Sequence, residues 1–150
     1  MKKKWKWFII VLAVLALLTG YDWWRSNQVI LTAQGSSSGM IDTSSAEATE
    51  IVVNVRNRKG EPVTDHNIYA LAVGGGSFKS FYEKTDDSGR VTFVYYPPKM
   101  AGYQTEKSVT LKFRDESNSV FIEIYPSTEY TIELTRQEES GGMPVGDFLN

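Results

Sequence analysis

Ile51-Val-Val-Asn-Val-Arg-Asn-Arg-Lys-Gly60-Glu-Pro-Val63 decides the fold class. Ile51, Val53 and Val55 recur with the period of two that gives a strand one buried face. Arg58-Lys-Gly60 then supplies turn chemistry, with Pro62 fixing the exit. The same alternation returns in Val91, Phe93 and Tyr95 and in Tyr130, Ile132 and Leu134. Turn signals lie between at Gly74-Gly-Gly76, Asp86-Asp-Ser-Gly89 and Asp115-Glu-Ser-Asn118, and nothing from Ala48 to Arg136 carries a helical period. The pattern predicts seven strands: Glu50 to Arg56, Asn67 to Val73, Phe78 to Thr85, Arg90 to Tyr96, Ser108 to Phe113, Ser119 to Tyr125 and Thr128 to Thr135. Residues 48–136 thus read as an all-β domain of short antiparallel strands, a two-sheet sandwich.

Ahead of this domain stands one apolar segment. Lys2, Lys3, Lys4 and Lys6 precede the run from Phe8 to Leu18, and no charge occurs between Lys6 and Asp22. From Trp5 to Trp24 a helix would be roughly 30 Å long, about one hydrocarbon core. Trp5, Trp7, Tyr21, Trp23 and Trp24 stand where amphipathic rings anchor at the two membrane surfaces. Four lysines against Arg25 place the amino terminus in the cytoplasm and the remainder outside. The rival reading is a cleaved secretory signal, whose apolar core has this length. Leu18, Tyr21 and the tryptophans occupy the positions where cleavage wants small residues, which favours a retained anchor over residues 1–25. Residues 26–47, with Gln34-Gly-Ser-Ser-Ser-Gly39 and Thr43-Ser-Ser45, read as a flexible Ser/Gly linker holding the domain on the order of 25 Å from the bilayer. Residues 137–150 read as a disordered tail.

The chain has no cysteine, which removes disulfides, thiolate metal sites, thiol nucleophiles and lipid attachment at cysteine. All but four of the 16 Lys and Arg, and all but one of the 18 Asp and Glu, lie after Trp24, so the exported part carries a net −5. An acidic ectodomain with scattered basic residues excludes nucleic acid as a natural partner.

Ile51 to Val63, followed by Lys84-Thr-Asp-Asp-Ser-Gly89-Arg-Val-Thr-Phe93, resembles bacterial Ig-like and prealbumin-like domains. Among these are the carboxypeptidase regulatory-like domain and the Ig-like repeats of invasin-type surface proteins. Those families join a first strand ending in Gly-x-Pro-Val to a later Thr-Asp-x-x-Gly-x-x-x-Phe hairpin. The resemblance implies an Ig-like or prealbumin-like sandwich of seven strands, behind one transmembrane helix, serving as a non-catalytic spacer, adhesion or assembly module. Two related groups do chemistry. Pilin-type collagen-binding B domains join a Lys to an Asn, but here the first strand has no lysine before Lys59 and the last has no asparagine. Transthyretin-like hydrolases use several histidines, and this chain has only His66.

His66 beside Asp65 lacks a nucleophile in its sequence neighbourhood and reads as a turn histidine. Asp86, Asp87 and Ser88 lack the alternating ligands and distal glutamate of a calcium loop and read as a hairpin turn. Gly74-Gly-Gly76 is not followed by the Lys-Ser/Thr and helix of a phosphate cradle. The stretch with most contact chemistry is Tyr95, Tyr96, Pro97, Pro98, Met100 and Tyr103, amphipathic rings stiffened by two prolines. It reads either as packing at a corner of the sandwich or as a partner-binding loop. No catalytic residue, cofactor site or metal site is expected, and no small-molecule substrate. The expected role is an extracytoplasmic protein-binding or structural part of a bacterial cell-envelope assembly, with a membrane contact through the helix and an envelope protein as partner. The alternative is a secreted or surface-displayed adhesin-type domain, released by signal cleavage and binding carbohydrate or host protein.

Overall fold

The computed structural model describes residues 2–35, 40–43, 47–100, 106–118 and 120–136. Apolar side chains cover the whole circumference of the first element, α1 (Lys2–Ser26), with Trp7, Phe8, Leu12, Leu15 and Leu17 about half or more exposed. Its stretch Lys4–Ser26 is long and apolar enough to cross a membrane, and almost none of it is covered by the rest of the chain.

Nine strands follow among the described residues: β1 (Val29–Gly35), β2 (Met40–Asp42), β3 (Thr49–Asn57), β4 (Asn67–Val73), β5 (Ser77–Phe78), β6 (Tyr82–Lys84), β7 (Arg90–Tyr96), β8 (Glu106–Asp115) and β9 (Ser127–Thr135). They form a four-stranded sheet ordered β1-β3-β7-β5 and a five-stranded sheet ordered β2-β9-β8-β4-β6. Alternation places Ile51, Val53 and Val55 of β3 and Val91, Phe93 and Tyr95 of β7 on the inner face of the first sheet. Ile68 and Ala70 of β4, Val109, Leu111 and Phe113 of β8, and Ile132 and Leu134 of β9 meet them from the second. Phe78, Phe93 and Phe113 fill the centre with ring centroids 5.4 to 5.7 Å apart, within the range of favourable aromatic pairing.

The all-β reading with one apolar N-terminal helix holds, and the strand count is corrected from seven to nine. Two of the additions lie in the stretch read as a linker. β1 pairs along its whole length with β3, from Val29 opposite Asn57 to Gly35 opposite Ile51, and buries Val29 and Leu31. β2 pairs with β9 in parallel, so the sandwich is not wholly antiparallel, and it buries Ile41. The strand expected over Phe78 to Thr85 is broken into β5 and β6, which pair in different sheets, with β7 and β4 respectively. The strand expected over Ser119 to Tyr125 is a loop at residues 120–125, whose backbone donors go to a side chain of α1 instead of a ladder. The tail 137–150, the linker residues 36–39 and 44–46, and Tyr103 lie outside the described residues.

Register gives the sandwich two unlike ends. The start of β1, the end of β3, the start of β4, the end of β8 and the start of β9 share the end that meets α1. There Arg58 Nε donates to the Asn27 carbonyl at 2.8 Å and the Arg58 N–H to the Gln28 carbonyl at 3.1 Å. The sandwich therefore sits directly on the helix. Thr49, Tyr95, Glu106 and Thr135 mark the opposite end.

A core without disulfides concentrates stability in its rings. Phe113→Ala is expected to cost about 3–5 kcal/mol, whereas Leu71→Ala on the outer face should stay within about 0.5 kcal/mol. Denaturant titration of the full-length protein in detergent measures both.

Candidate functional site

The tyrosine-proline stretch does not act as one surface. Tyr95 is fully buried, its ring 5.5 Å from that of Phe78 and its hydroxyl donating to the Gly75 carbonyl at 2.9 Å. It is a packing residue. Tyr96 is 43% exposed, Pro97 and Pro98 are half-buried, and Met100 packs against the core. This stretch lies at the end of the sandwich farthest from α1. Gly76, with φ of 80°, approaches the Tyr95 ring so closely that a Cβ would overlap it, which accounts for a glycine-rich connection here.

The other motifs resolve into turns and clips. Asp86 Oδ1 accepts from the Ser88 hydroxyl at 2.6 Å, the Ser88 N–H at 2.9 Å and the Arg90 N–H at 2.9 Å, closing the hairpin before Gly89. The Ser88 hydroxyl, followed by the Arg90 N–H, holds the Asp86 carboxyl below its ordinary value. His66 does not pair with its sequence neighbour. Asp65, at φ of 58°, binds Lys84 at 2.7 Å, while His66 Nδ1 lies 2.6 Å from Oδ2 of the fully buried Asp115. Asp115 Oδ1 accepts the Ser117 N–H at 2.9 Å, and Thr85 Oγ1 accepts the His66 N–H at 3.0 Å. The pair thereby ties the start of β4 to the end of β8. Among the described residues no three His, Asp or Glu side chains converge as a metal site would require.

A surface with contact chemistry appears on the outer face of the five-stranded sheet. The alternation that turns Ile68 and Ala70 inward turns Tyr69 and Leu71 outward, and register sets Tyr69 opposite both Tyr82 and Arg114, with Lys112 opposite Glu129. The Arg114 guanidinium carbon stands 4.6 Å from the Tyr69 ring centre and 5.1 Å from that of Tyr125, and Glu116 accepts from its Nε. Tyr69 and Tyr82 stack at 4.9 Å, and Lys112 pairs with Glu129 at 2.7 Å. Tyr69, Arg114, Tyr125, Lys112 and Glu129 border an open groove of about 310 Å³. Burial, then the Glu116 carboxylate, raise the Tyr82 phenol above its ordinary value. A planar cation held between two tyrosines supplies rigid aromatic area and fixed charge, the residue types enriched at protein contacts. Sequence reading missed it because Tyr69 and Arg114 meet only through strand register, and Tyr125 reaches them from the loop before β9. The available signal was an aromatic residue on the outward parity of β4.

No protein-family profile and no curated protein matches the chain. Among solved structures it is similar to the D00-D0 domain of Intimin, with a TM-score of 0.52 and 11% identity over 71% of this chain and 48% of that one. The chain thus spans about half the length of that structure. A conjugate transposon protein from Bacteroides vulgatus, solved by NMR in solution, aligns with a TM-score of 0.40 and 12% identity over 81% of this chain and 92% of that one. Two facing sheets with this inner alternation, together with the Intimin likeness, define the fold: an Ig-like β-sandwich. In this chain it stands behind an N-terminal apolar helix, as the uncharged run between Lys6 and Asp22 implies.

Burial pushes the Tyr95 phenol up to about 12, against about 10 in an unfolded chain. The folded state prefers the neutral phenol, so this contribution is complete below pH 10 and is lost as pH rises through 12. Tyr95→Phe should lack that part of the alkaline destabilisation, while costing about 1 kcal/mol at neutral pH for the lost hydrogen bond. Melting temperature followed from pH 8 to 12 in both proteins tests this.

Proposed function

We propose that the chain is a single-pass membrane protein, amino terminus cytoplasmic and Ig-like domain extracytoplasmic, that serves a bacterial cell-envelope assembly as a non-catalytic protein-binding or structural part. The observation that carries this reading is the seating of the sandwich directly on α1 through Arg58 and the Asn27 and Gln28 carbonyls. A domain joined in this way keeps a fixed attitude to the bilayer and presents its outer face at a set height. Confinement beside neighbouring envelope proteins raises effective concentration, so modest contacts suffice. The excess of lysines before the apolar run supports the orientation. Retention of the helix is supported by Asp22, a residue of α1 that is bonded into the domain. Cleavage near Thr19 to Tyr21 would leave that residue on a frayed end. The Tyr69, Arg114 and Tyr125 face is the surface assigned to the partner, with the Tyr96 to Met100 end as its distal neighbour.

Purification of the full-length protein from detergent-solubilised membranes of its producing cells, beside a Tyr69→Ala/Arg114→Ala variant, tests the reading. A stoichiometric membrane partner that falls at least about tenfold in the variant, with thermal unfolding still cooperative, is the expected result, since loss of central aromatic and arginine contacts costs at least about 1–2 kcal/mol. A partner retained by the variant would overturn the assigned face. Protein recovered alone from the medium and beginning near Thr19 to Tyr21 would overturn the anchor and leave a secreted binder.

A further inference from the structure

We infer that the β8–β9 loop at Val120, Phe121 and Ile122 is a second membrane contact, seated in the lipid interface beside α1 and held there by the Asp22 carboxylate. The inference rests on the anchored reading of α1.

Asp22 is 2% exposed although it lies on a helix whose other faces are open. Its Oδ1 accepts the Val120 N–H at 2.9 Å, and its Oδ2 accepts the Phe121 N–H at 3.0 Å and the Ile122 N–H at 2.9 Å. Both neighbours of Asp22 in the chain, Tyr21 and Trp23, are more than half exposed, as is Trp24. Such rings settle at the boundary between hydrocarbon and headgroups. A loop bonded to residue 22 of that helix lies at the same depth. Arg58, bonded to the Asn27 and Gln28 carbonyls, sits about 8 Å further along the helix axis, in the headgroup zone where a cation is at ease.

The loop's side chains fit that position. Val120 is 70% and Phe121 56% exposed, and neither joins the core of the sandwich. The acidic residue that follows, Glu123, lines the groove on the outer face of the sheet. The backbone fits as well, because an N–H entering an apolar layer without a partner is strongly disfavoured, and these three donors are already satisfied. The same bonds stabilise a carboxylate at a depth where an unpaired one would be costly. Each side of the contact thus removes the other's penalty, and the apolar side chains face the layer that α1 occupies. The occupant is the bilayer interface; a second copy or a partner protein covering the loop would keep it from lipid.

The chain has no native cysteine, so one probe can be placed at will. Val120→Cys, Leu15→Cys and Lys99→Cys, each labelled with an environment-sensitive nitrobenzoxadiazole fluorophore, would be reconstituted full-length into phosphatidylcholine/phosphatidylglycerol vesicles with and without doxyl-labelled lipid. The expected result is quenching of most of the emission at positions 15 and 120 and none at 99, which lies at the far end of the sandwich. Quenching at 15 without quenching at 120 would overturn the loop contact and leave the anchor intact. Absence of quenching at both would overturn the anchor and the inference together. In an Asp22→Ala background the signal at 120 should fall severalfold while that at 15 holds. An unchanged signal at 120 would overturn the role given to the carboxylate.

Discussion

With no cysteine to staple them, the two sheets are held by the apolar layer between them, and the Phe78, Phe93 and Phe113 triangle is its centre. Phe93 comes from the four-stranded sheet, Phe113 from the five-stranded sheet, and Phe78 from a two-residue strand that exists only to close over them. Tyr95 extends the cluster and passes its polar end out through the Gly75 carbonyl, so a large ring is buried without an orphaned hydroxyl. The turns serve this layer. Gly89, at φ of 69°, lets the β6–β7 turn approach the Val55 carbonyl, whose strand faces Val91 and Phe93.

The second constraint is the junction. Once α1 runs into β1 with only Asn27 and Gln28 between, the domain cannot drift from the helix as a tethered one would. Arg58 bonds the carbonyls of Asn27 and Gln28, the two residues that join α1 to β1, while Asp22 draws in the β8–β9 loop. These contacts come from the two opposite sheets, since Arg58 follows β3 and the loop follows β8. The helix is therefore gripped across the whole end of the sandwich.

Legibility in the sequence followed how local each determinant is. β3, β4, β7 and β9 were read nearly to the residue because alternation and turn chemistry lie within the strand itself. β1 and β2 were read as linker because each buries only one or two side chains, Val29 and Leu31 in one and Ile41 in the other, amid small polar residues. Pairing supplies their stability, and pairing partners are not local. The run Val120 to Tyr125 failed in the opposite sense. Its β-branched and aromatic residues suit a strand, but its first three N–H groups are bonded to a residue 98 to 100 positions away. At the site level, the tyrosine-proline motif was visible as chemistry, while the burial of Tyr95 depended on which face of β7 meets the core. The Tyr69, Arg114 and Tyr125 cluster needed two strands in register and a loop folded onto them, and had no linear signature.

The two ends of the sandwich differ in what they ask of the chain. The end at α1 is crowded with backbone-directed bonds, from Arg58 to the Asn27 and Gln28 carbonyls, from loop amides to Asp22 and from the Asn67 N–H to the Ser117 hydroxyl. The far end carries Pro97 and Pro98, which cannot extend a ladder. An Ig-like domain floating on a linker has no reason to distinguish its ends in this way. One seated on an apolar helix does, because the end at that helix must satisfy every donor that nears its apolar surface, whereas the other end is free of that demand. On this argument the asymmetry follows from placing a β-sandwich directly on an apolar helix long enough to cross a membrane.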